Sequence, residues 1–372
     1  MKILVALESY SPNIGGVETL FKSICEGLVE QGHSVCVVTA AGPGQPSVEQ
    51  VNGVTIRRLG PYNRYVYTLL AVFPLIRLAV HSDVLLTTSY NAALPAWIAA
   101  TLNQKKVFVV FHEVWGRLWF RLPFFGRLKK TGHYLFEQLL LRLPFDRFIA
   151  VSNAMRERLI QNGVPAARVT LIYNGIDYEA LDGHQHAPTG PFTCVYFGRL
   201  GISKGLDLLI PAMARLAESC PDCRLTLITP STPKILFRRL QTQIQQHRIE
   251  ARVTVLDHLP KEELFAVLTT AHCVVIPSYS EGFCFAAVEA CGLGIPVVSS
   301  GQGALMEVVS GRCLTLTEMT PEALYQEMEH ARRGEWDWKP VVRFPLDATV
   351  AAYHELLTKP ENTTGALSAV VG

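Results

Sequence analysis

The chain has 372 residues, of which 49% are hydrophobic and 18% are charged, and its formal net charge is +2. This composition is typical of a globular protein long enough for two domains, and it excludes a disordered chain. No dense Lys/Arg cluster occurs, so we expect no nucleic acid among the partners. The longest apolar segment, residues 65–80, is interrupted by Pro74 and Arg77 and is too short to cross a bilayer.

The cysteines and the N-terminal segment indicate a cellular compartment. The nine cysteines are scattered and odd in number, which favours a reducing environment over a disulfide scaffold. The segment MKILVALESYSPN lacks the long apolar run of a secretory signal and is typical of a first strand. We therefore expect a cytoplasmic protein.

Short apolar runs alternate with helical segments along most of the chain. Many of these runs are apolar over their whole length, as is typical of parallel strands buried on both faces. In the first half the predicted strands are KILVALE, SVCVVTA, VTIRRL, DVLLTT, KVFVVFHE and RFIAVS. In the second half they are FTCVYFGR, RLTLITP, RVTVLDH, CVVIPS and IPVVSS. Two such series predict an α/β protein with two doubly wound domains, each a parallel sheet covered by helices.

A polar segment separates the two series of strands. Residues 179–191 contain Gly and Pro and show no apolar periodicity, as is typical of a linker. We therefore predict a first domain of residues 1–185 and a second domain of residues 186–345.

Several polar or glycine residues directly follow predicted strands, where open α/β sheets bind their ligands. After the first strand, Gly15 and Gly16 open a helix and allow a ligand to approach the backbone, although an ordinary helix entry has the same pattern. His112 follows KVFVVF, on the ligand edge of its sheet. Arg199 and Lys204 follow CVYFG on a Gly-flanked loop, which suits a diphosphate; a solvated basic turn is the alternative.

The stretch EGFCFAAVE contains two carboxylates, Glu281 and Glu289, in one of the most apolar parts of the chain. Carboxylates in such surroundings are costly unless each has a partner. CVVIPS is a predicted strand, and the turn YSEG after it leads into a predicted helix. A diphosphate at the start of this helix would meet the N–H groups of Gly282, Phe283 and Cys284. Glu281 would then bind the sugar and Glu289 the vicinal hydroxyls of a ribose. The alternative is a solvated Glu281 and a buried Glu289 paired with a basic side chain.

With these motifs the sequence resembles the retaining glycosyltransferases of family 4, which have the GT-B fold, two Rossmann-like domains facing across a cleft. The family's two glutamates, separated by seven residues, match Glu281 and Glu289. The resemblance covers nearly the whole chain in the expected order, through SPNIGGVETL, FHE, FIAVSNAMRERL, VTLIYNGID and YFGRLGISKG. At Cys284 the family more often has glycine.

The resemblance implies that the second domain binds a nucleotide-sugar donor. It implies that the first domain binds a glycan or lipid-linked acceptor, such as a lipopolysaccharide or polysaccharide. A last helix, residues 346–358, is implied to cross back to the first domain. The implied donor contacts are Arg199 and Lys204 with the diphosphate, Glu289 with the ribose, Glu281 with the sugar, and Gly15, Gly16 and His112 with the sugar and diphosphate.

The expected chemistry follows from the charges. Breaking the glycosyl–phosphate bond leaves negative charge on the nucleoside diphosphate, which Arg199, Lys204 and the helix N-terminus would stabilise. The chain has no Asp-x-Asp motif, so we expect neither a metal nor a cofactor. Glu281 is the one candidate nucleophile for a double displacement, and the resemblance assigns it to sugar hydroxyls. We therefore favour a front-face substitution with retention.

A basic aromatic segment, residues 115–136, lies between Glu113 and Glu137. It contains five cations, seven aromatic residues and no acid. We expect it to bind an anionic membrane, with Trp115, Trp119 and Phe120 inserting, which would make the protein peripheral on the inner face of the membrane. The alternative is a buried helix whose arginines are merely solvated.

Two further features bear on rival functions. Cys220 and Cys223 have the spacing of half a zinc site or a redox pair, but no second pair follows, and the motif ends a helix instead of opening one. A dinucleotide oxidoreductase is disfavoured because no Gly-x-Gly-x-x-Gly follows a predicted strand. A sugar-nucleotide epimerase of the same fold and a non-catalytic sugar-nucleotide-binding protein remain as alternatives.

Overall fold

The structure is a computed structural model that describes residues 1–13, 15–60, 63–121, 126–359 and 370–371. The chain divides into two compact units. The described residues up to 175 form the first unit together with 344–359, and the second unit comprises residues 176–343 and 370–371. The predicted boundary, after residue 185, lies further along the chain.

Strands and helices alternate in both units. The strands are Lys2–Ala6 (β1), Ser34–Ala40 (β2), Val48–Val51 (β3), Val54–Leu59 (β4), Val84–Thr88 (β5), Lys106–Phe111 (β6), Arg147–Ala150 (β7), Val169–Leu171 (β8), Thr193–Phe197 (β9), Arg224–Ile228 (β10), Val253–Leu256 (β11), Cys273–Ile276 (β12), Val297–Ser299 (β13), Gly311–Thr315 (β14), Asp337–Lys339 (β15), Val342–Arg343 (β16) and Val370–Val371 (β17). The helices are Gly16–Glu30 (α1), Arg64–Leu70 (α2), Val72–Ala79 (α3), Ala93–Leu102 (α4), Leu118–Arg121 (α5), Arg127–Arg142 (α6), Asn153–Gln161 (α7), Leu206–Ser219 (α8), Lys234–Gln246 (α9), Lys261–Thr270 (α10), Phe285–Gly292 (α11), Leu305–Val308 (α12), Pro321–Arg332 (α13) and Leu346–Thr358 (α14).

Each unit is built on one large sheet. The first sheet has the order β3-β4-β2-β1-β5-β6-β7-β8, and the second has the order β11-β10-β9-β12-β13-β14-β15. In each sheet the strand order reverses once, between β1 and β5 and between β9 and β12. With right-handed crossovers, such a reversal places helices on both faces of the sheet. The predicted α/β class with two doubly wound sheets is confirmed.

One edge strand of each sheet departs from the predicted parallel pattern. β3 pairs with β4, and β15 with β14, in the antiparallel direction. β3 is joined to β4 by Asn52 and Gly53, with φ of 49° and 79°, the geometry of a two-residue hairpin turn. The Asn-Gly dipeptide was therefore a signal for this hairpin. Both edge strands are short and exposed, so they lack the apolar run that identified the others.

The central strands are buried on both faces, which explains their continuous apolar sequences. Val5 and Leu85 in the first unit and Val195 and Val275 in the second are fully buried. Among the helices that the structure describes, none combines the length and apolarity needed to span a membrane. The last helix, α14, packs against α1 within the first unit.

Candidate functional site

The donor-binding residues predicted in the second unit, other than Glu289, lie on two loops at the carboxyl ends of neighbouring strands. Residues 198–205 connect β9 to α8 and carry Arg199 and Lys204, and residues 277–284 connect β12 to α11 and carry Glu281. β9 and β12 are the strands between which the strand order reverses. Open α/β sheets bind their ligands at this kind of position.

An ion pair joins the two loops. Lys204 Nζ lies 2.9 Å and 3.0 Å from the two carboxylate oxygens of Glu281. Ser278 Oγ donates a hydrogen bond of 2.6 Å to Glu281 Oε1. The backbone N–H of Tyr279 donates to the carbonyl of Ser203 at 2.7 Å. Glu281 is only 5% exposed, and these partners compensate the burial of its charge.

The buried ring of Tyr196, on β9, lies where four of the predicted residues come together. Its hydroxyl donates to the backbone carbonyl of Arg199 at 3.1 Å. Burial raises the pKa of Tyr196 well above its usual range, and Lys204, Glu281, Cys284 and Arg199 lie close enough to influence that pKa. The structure thus brings these four side chains into one electrostatic neighbourhood.

Arg199 is the exposed cation of this neighbourhood. Within the residues that the structure describes, its guanidinium takes part in no hydrogen bond and no ion pair. A guanidinium presents five N–H donors in a planar arrangement that matches phosphate oxygens. Arg199 is therefore available to an anionic ligand, whereas Lys204 is already held by a carboxylate.

The helix α11 begins later than the sequence predicted. It starts at Phe285, and Cys284 before it has a φ of 80°, which a right-handed helix does not allow. Gly282 and Phe283 consequently lie in the preceding turn, and the prediction that their N–H groups belong to the helix start is wrong. The N–H groups at the helix start are those of Cys284, Phe285 and Ala286. The left-handed φ also explains why glycine suits the position of Cys284.

Glu289 lies in the interior of α11 and is half-buried. Its carboxylate forms neither a hydrogen bond nor a salt bridge with the described part of the chain, so the alternative of a buried ion pair is not realised there. Burial raises the pKa of Glu289 to about 7, and the positive charge of Lys261 opposes this rise. A carboxylate in this state would gain from ligand hydroxyls that donate to it.

Two glycines allow the backbone of this site to pack closely. At Gly205, with a φ of 70°, a Cβ atom would lie 1.9 Å from the carbonyl oxygen of Pro277. At Gly303, with a φ of 64°, a Cβ atom would lie 2.3 Å from the carbonyl oxygen of Glu281. Both positions therefore need a left-handed backbone and the absence of a side chain.

Ser278 and Tyr196 were not predicted from the sequence. Tyr196 lies within a buried strand, where an aromatic residue is typical of the core. Ser278 follows β12 closely, and a polar residue at the carboxyl end of a buried strand was the signal that could have identified it.

The residues predicted in the first unit lie after β1 and β6. Gly15 precedes α1, and Gly16 is its first residue and is exposed. His112 directly follows β6, and its ring packs edge-on against Phe21 of α1, with ring centroids 6.0 Å apart. The structure thus brings His112 and α1 together at the ligand edge of the first sheet.

The described residues contain no group of three or more His, Cys, Asp or Glu side chains arranged to hold a metal ion. Cys220 follows the end of α8, and Cys223 precedes β10, as the sequence indicated. Burial raises the pKa of Cys223 to about 11, which disfavours the thiolate that redox chemistry needs.

Comparisons with known proteins identify the family. The model of Glycosyltransferase Family 4 matches residues 14–180, and that of glycosyl transferases group 1 matches residues 177–318. The chain is 26% identical over 346 residues to a phosphatidylinositol N-acetylglucosaminyltransferase subunit of Arabidopsis thaliana, covering 89% of this chain and 74% of that protein.

The solved structures that resemble this one show the fold. Sucrose-phosphate synthase from Thermosynechococcus elongatus superimposes with a TM-score of 0.75 at 20% identity, over 97% of this chain and 99% of that one. Anabaena HepE, solved in complex with UDP and glucose, gives a TM-score of 0.73 at 19% identity, over 96% of this chain and 100% of that one. These structural neighbours show the GT-B fold. Because the two family models match consecutive parts of the chain, it belongs to glycosyltransferase family 4.

Proposed function

We propose that this glycosyltransferase transfers a sugar from a nucleotide-diphosphate sugar to a glycan or lipid-linked acceptor, with retention and without a metal ion. The observation that carries the proposal is the cluster at the carboxyl ends of β9 and β12. There Lys204 is fixed to Glu281, beside the exposed Arg199 and the start of α11.

The charges of this cluster match the parts of a sugar nucleotide. Arg199, Lys204 and the N–H groups at the start of α11 are all positive, as the diphosphate requires. Glu281 is held in place by Lys204 and Ser278, so its remaining acceptor capacity is directed at sugar hydroxyls. Glu289 would accept the two hydroxyls of the ribose. Anabaena HepE, which was solved with UDP and glucose, supports a donor of this chemical class.

In the proposed reaction the bond between the anomeric carbon and the phosphate oxygen breaks. The acceptor oxygen forms a bond to that carbon on the same face of the sugar, and the acceptor proton passes to the departing phosphate. Arg199 and Lys204 stabilise the charge that develops on the nucleoside diphosphate. We assign Glu281 to sugar hydroxyls and not to a nucleophilic role, because the ion pair with Lys204 and the hydrogen bond from Ser278 stabilise its negative charge and so lower its nucleophilicity.

The class of acceptor is supported by the relatives. The Arabidopsis relative is a subunit of a phosphatidylinositol N-acetylglucosaminyltransferase, and phosphatidylinositol is a lipid. We propose a lipid-linked acceptor on this ground, which includes a lipid-linked lipopolysaccharide or polysaccharide precursor.

The experiment that tests the proposed function begins with a thermal-shift screen of nucleoside diphosphates and their sugars. A ligand that binds only the native state raises its stability, so the screen identifies the donor. With that donor, we expect transfer to survive chelation and the product to keep the donor's anomeric configuration, as measured by NMR coupling constants. Loss of activity in chelator that a divalent cation restores would contradict the metal-free mechanism, and an inverted product would contradict retention. A product epimerised on the nucleotide would favour the epimerase alternative.

The raised pKa of Glu289 predicts how nucleotide binding depends on pH. Only the ionised carboxylate accepts both ribose hydroxyls, and with a pKa of about 7 its ionised fraction grows as the pH rises from 6 to 8. We expect affinity for the nucleoside diphosphate to increase by about an order of magnitude over this interval, since occupancy of the binding-competent form sets the apparent affinity. Isothermal titration calorimetry at several pH values measures this. Glu289→Gln is the control, because it removes the titration of Glu289 and should reduce the pH dependence to that of the ligand's terminal phosphate. An unchanged profile would refute the role of Glu289.

A further inference from the structure

The helices α2 and α3 carry an exposed apolar stripe. Tyr65 and Leu69 are four residues apart on α2, so they lie on one side of that helix. Phe73 on α3 and Val80 directly after it are seven residues apart, so they also lie on one side. These four side chains are between 54% and 74% exposed. Isolated exposed apolar residues are ordinary, whereas a continuous stripe marks a binding surface.

A second stripe runs along α6. Leu128, Leu135 and Leu139 are spaced by seven and four residues, and all are exposed, Leu128 by 89%. Half of the large apolar side chains that are exposed in the described part of the chain lie on these two stripes and at Leu70 and Phe120.

The tryptophans of the basic aromatic segment do not belong to this exposed set. Trp115 and Trp119 are half-buried and pack against each other, with ring centroids 5.6 Å apart. Trp119 also stacks on His133 of α6, with centroids 4.9 Å apart. The buried carboxylate of Glu137 accepts the backbone N–H of Trp115 at 2.9 Å and the indole N–H of Trp119 at 3.4 Å. These contacts fix α6 to the first unit, so the leucines, and not the tryptophans, are the exposed apolar groups. Residues 122–125 of the segment lie outside the described residues.

The two stripes lie close to each other within the first unit. Both α2 and α6 contact the single helical turn Tyr90–Ala92. Burial lowers the pKa of His133 on α6, and the positive charges of Lys129 on α6 and Arg64 at the start of α2 lower it further. The start of α2 is thus within electrostatic range of α6.

The charges on the segments that carry the stripes are almost all positive, and from outside them Glu8 forms an ion pair with Arg64 at 3.1 Å. Residues 64–80 contain no acid, and residues 115–142 contain one, the buried Glu137. The exposed cations of these helices and of the loop before α5 are Arg64, Arg77, Arg117, Arg127, Lys129 and Arg142. We name the surface formed by the two stripes and these cations the α2–α3–α6 face.

Leucines flanked by cations fit the interface of an anionic bilayer, where apolar side chains enter the acyl region and cations attract the headgroups. A second copy of the chain is a poorer occupant, because a symmetric contact through this face would place like charges against each other. We propose that the α2–α3–α6 face binds the surface of a bilayer that contains anionic lipids. The proposal extends the proposed function, since a lipid-linked acceptor requires the enzyme at the bilayer, but its test involves no sugar transfer.

The test is co-sedimentation of the full-length protein with phosphatidylcholine vesicles, with and without phosphatidylglycerol, at low and moderate salt. The apolar variant carries Leu69→Gln, Phe73→Gln, Leu128→Gln and Leu135→Gln. The cation variant carries Arg77→Gln, Arg127→Gln and Lys129→Gln. The matched control carries Ile235→Gln and Trp338→Gln, at two exposed apolar residues of the second unit.

We expect the wild type and the control to bind the anionic vesicles and not the neutral ones. The cation variant should bind about a hundredfold more weakly at low salt, because each basic residue near the surface contributes a factor of about five. The apolar variant should lose a similar factor that salt does not change, because ions screen only the charge contribution. Nucleoside-diphosphate binding, measured by thermal shift, should be equal in all four proteins, which shows that the second unit is intact. The circular dichroism spectrum and the melting temperature of each variant should match those of the wild type, which shows that the first unit is folded.

Three results would overturn the proposal. The wild type could remain in the supernatant with anionic vesicles at low salt. The control could lose binding as strongly as the apolar variant. The wild type could bind no vesicles but form a dimer in sedimentation velocity, and the apolar variant could abolish that dimer. A second copy of the chain would then be the occupant of the face. None of these results bears on donor binding, so failure here is separable from failure of the proposed function.

Discussion

Replacing Lys204 by methionine is expected to lower kcat/KM by about two to three orders of magnitude, the loss that follows removal of one group stabilising transition-state charge. Lys204 is the cation that would face the departing diphosphate, and it also positions Glu281 through two contacts of 2.9 Å and 3.0 Å. The variant should also be less stable by up to about 3 kcal/mol, because Glu281 is then left with a buried, uncompensated charge. Transfer kinetics and urea unfolding measure the two effects.

The double variant Lys204→Met, Glu281→Gln separates these two roles. Removing both charges eliminates the unpaired buried carboxylate, so we expect most of the stability to return. Activity should not return, because neither the cation nor the sugar contact is restored. If the single variant keeps wild-type kcat/KM, Lys204 has no part in catalysis; if the double variant regains activity, the loss in the single variant was structural.

Substituting alanine at Gly205 is expected to lower the free energy of unfolding of the second unit by more than about 3 kcal/mol. The new Cβ atom would lie 1.9 Å from the carbonyl oxygen of Pro277, so the loop after β9 and the loop after β12 must move apart. The left-handed φ of 70° adds a further cost of about 1–2 kcal/mol for any residue with a Cβ. Because these two loops carry Lys204 and Glu281, we also expect the variant to lose nucleoside-diphosphate binding.

Gly190→Ala provides a matched control in the same unit. Gly190 has a nearly identical φ of 71°, but a Cβ atom there would meet nothing within 4 Å. We expect only the conformational cost of about 1–2 kcal/mol and unchanged nucleotide binding. Urea unfolding of both variants, followed by titration with the nucleoside diphosphate, checks the difference. Equal destabilisation of the two variants would show that the contact with Pro277 does not limit the packing of the loops.

The sequence alone identified the strands at the centre of both sheets and the loops that carry the candidate site. Strands buried on both faces need apolar residues at every position, so β1, β5, β9 and β12 are visible as continuous apolar runs. Polar residues that follow such strands lie at the carboxyl edge of the sheet, where ligands bind, and this does not depend on the rest of the fold. Arg199, Lys204 and Glu281 could be identified for this reason. The antiparallel edge strands β3 and β15 were not predicted, because they are short and exposed and have no continuous apolar run.

The tertiary structure decided which of these groups are paired. Lys204 and Glu281 are 77 residues apart in the chain, and they form an ion pair because β9 and β12 are adjacent in the sheet. Glu289 has a raised pKa because the surrounding side chains bury it. The buried carboxylate of Glu137 accepts the backbone N–H of Trp115 and the indole N–H of Trp119, whereas Leu128 and Leu135 are exposed. Burial and charge pairing depend on which distant segments the fold places side by side. Apolar periodicity and strand ends depend on neighbours along the chain. The sequence therefore determined the elements and the candidate residues, and only the folded chain determined their partners.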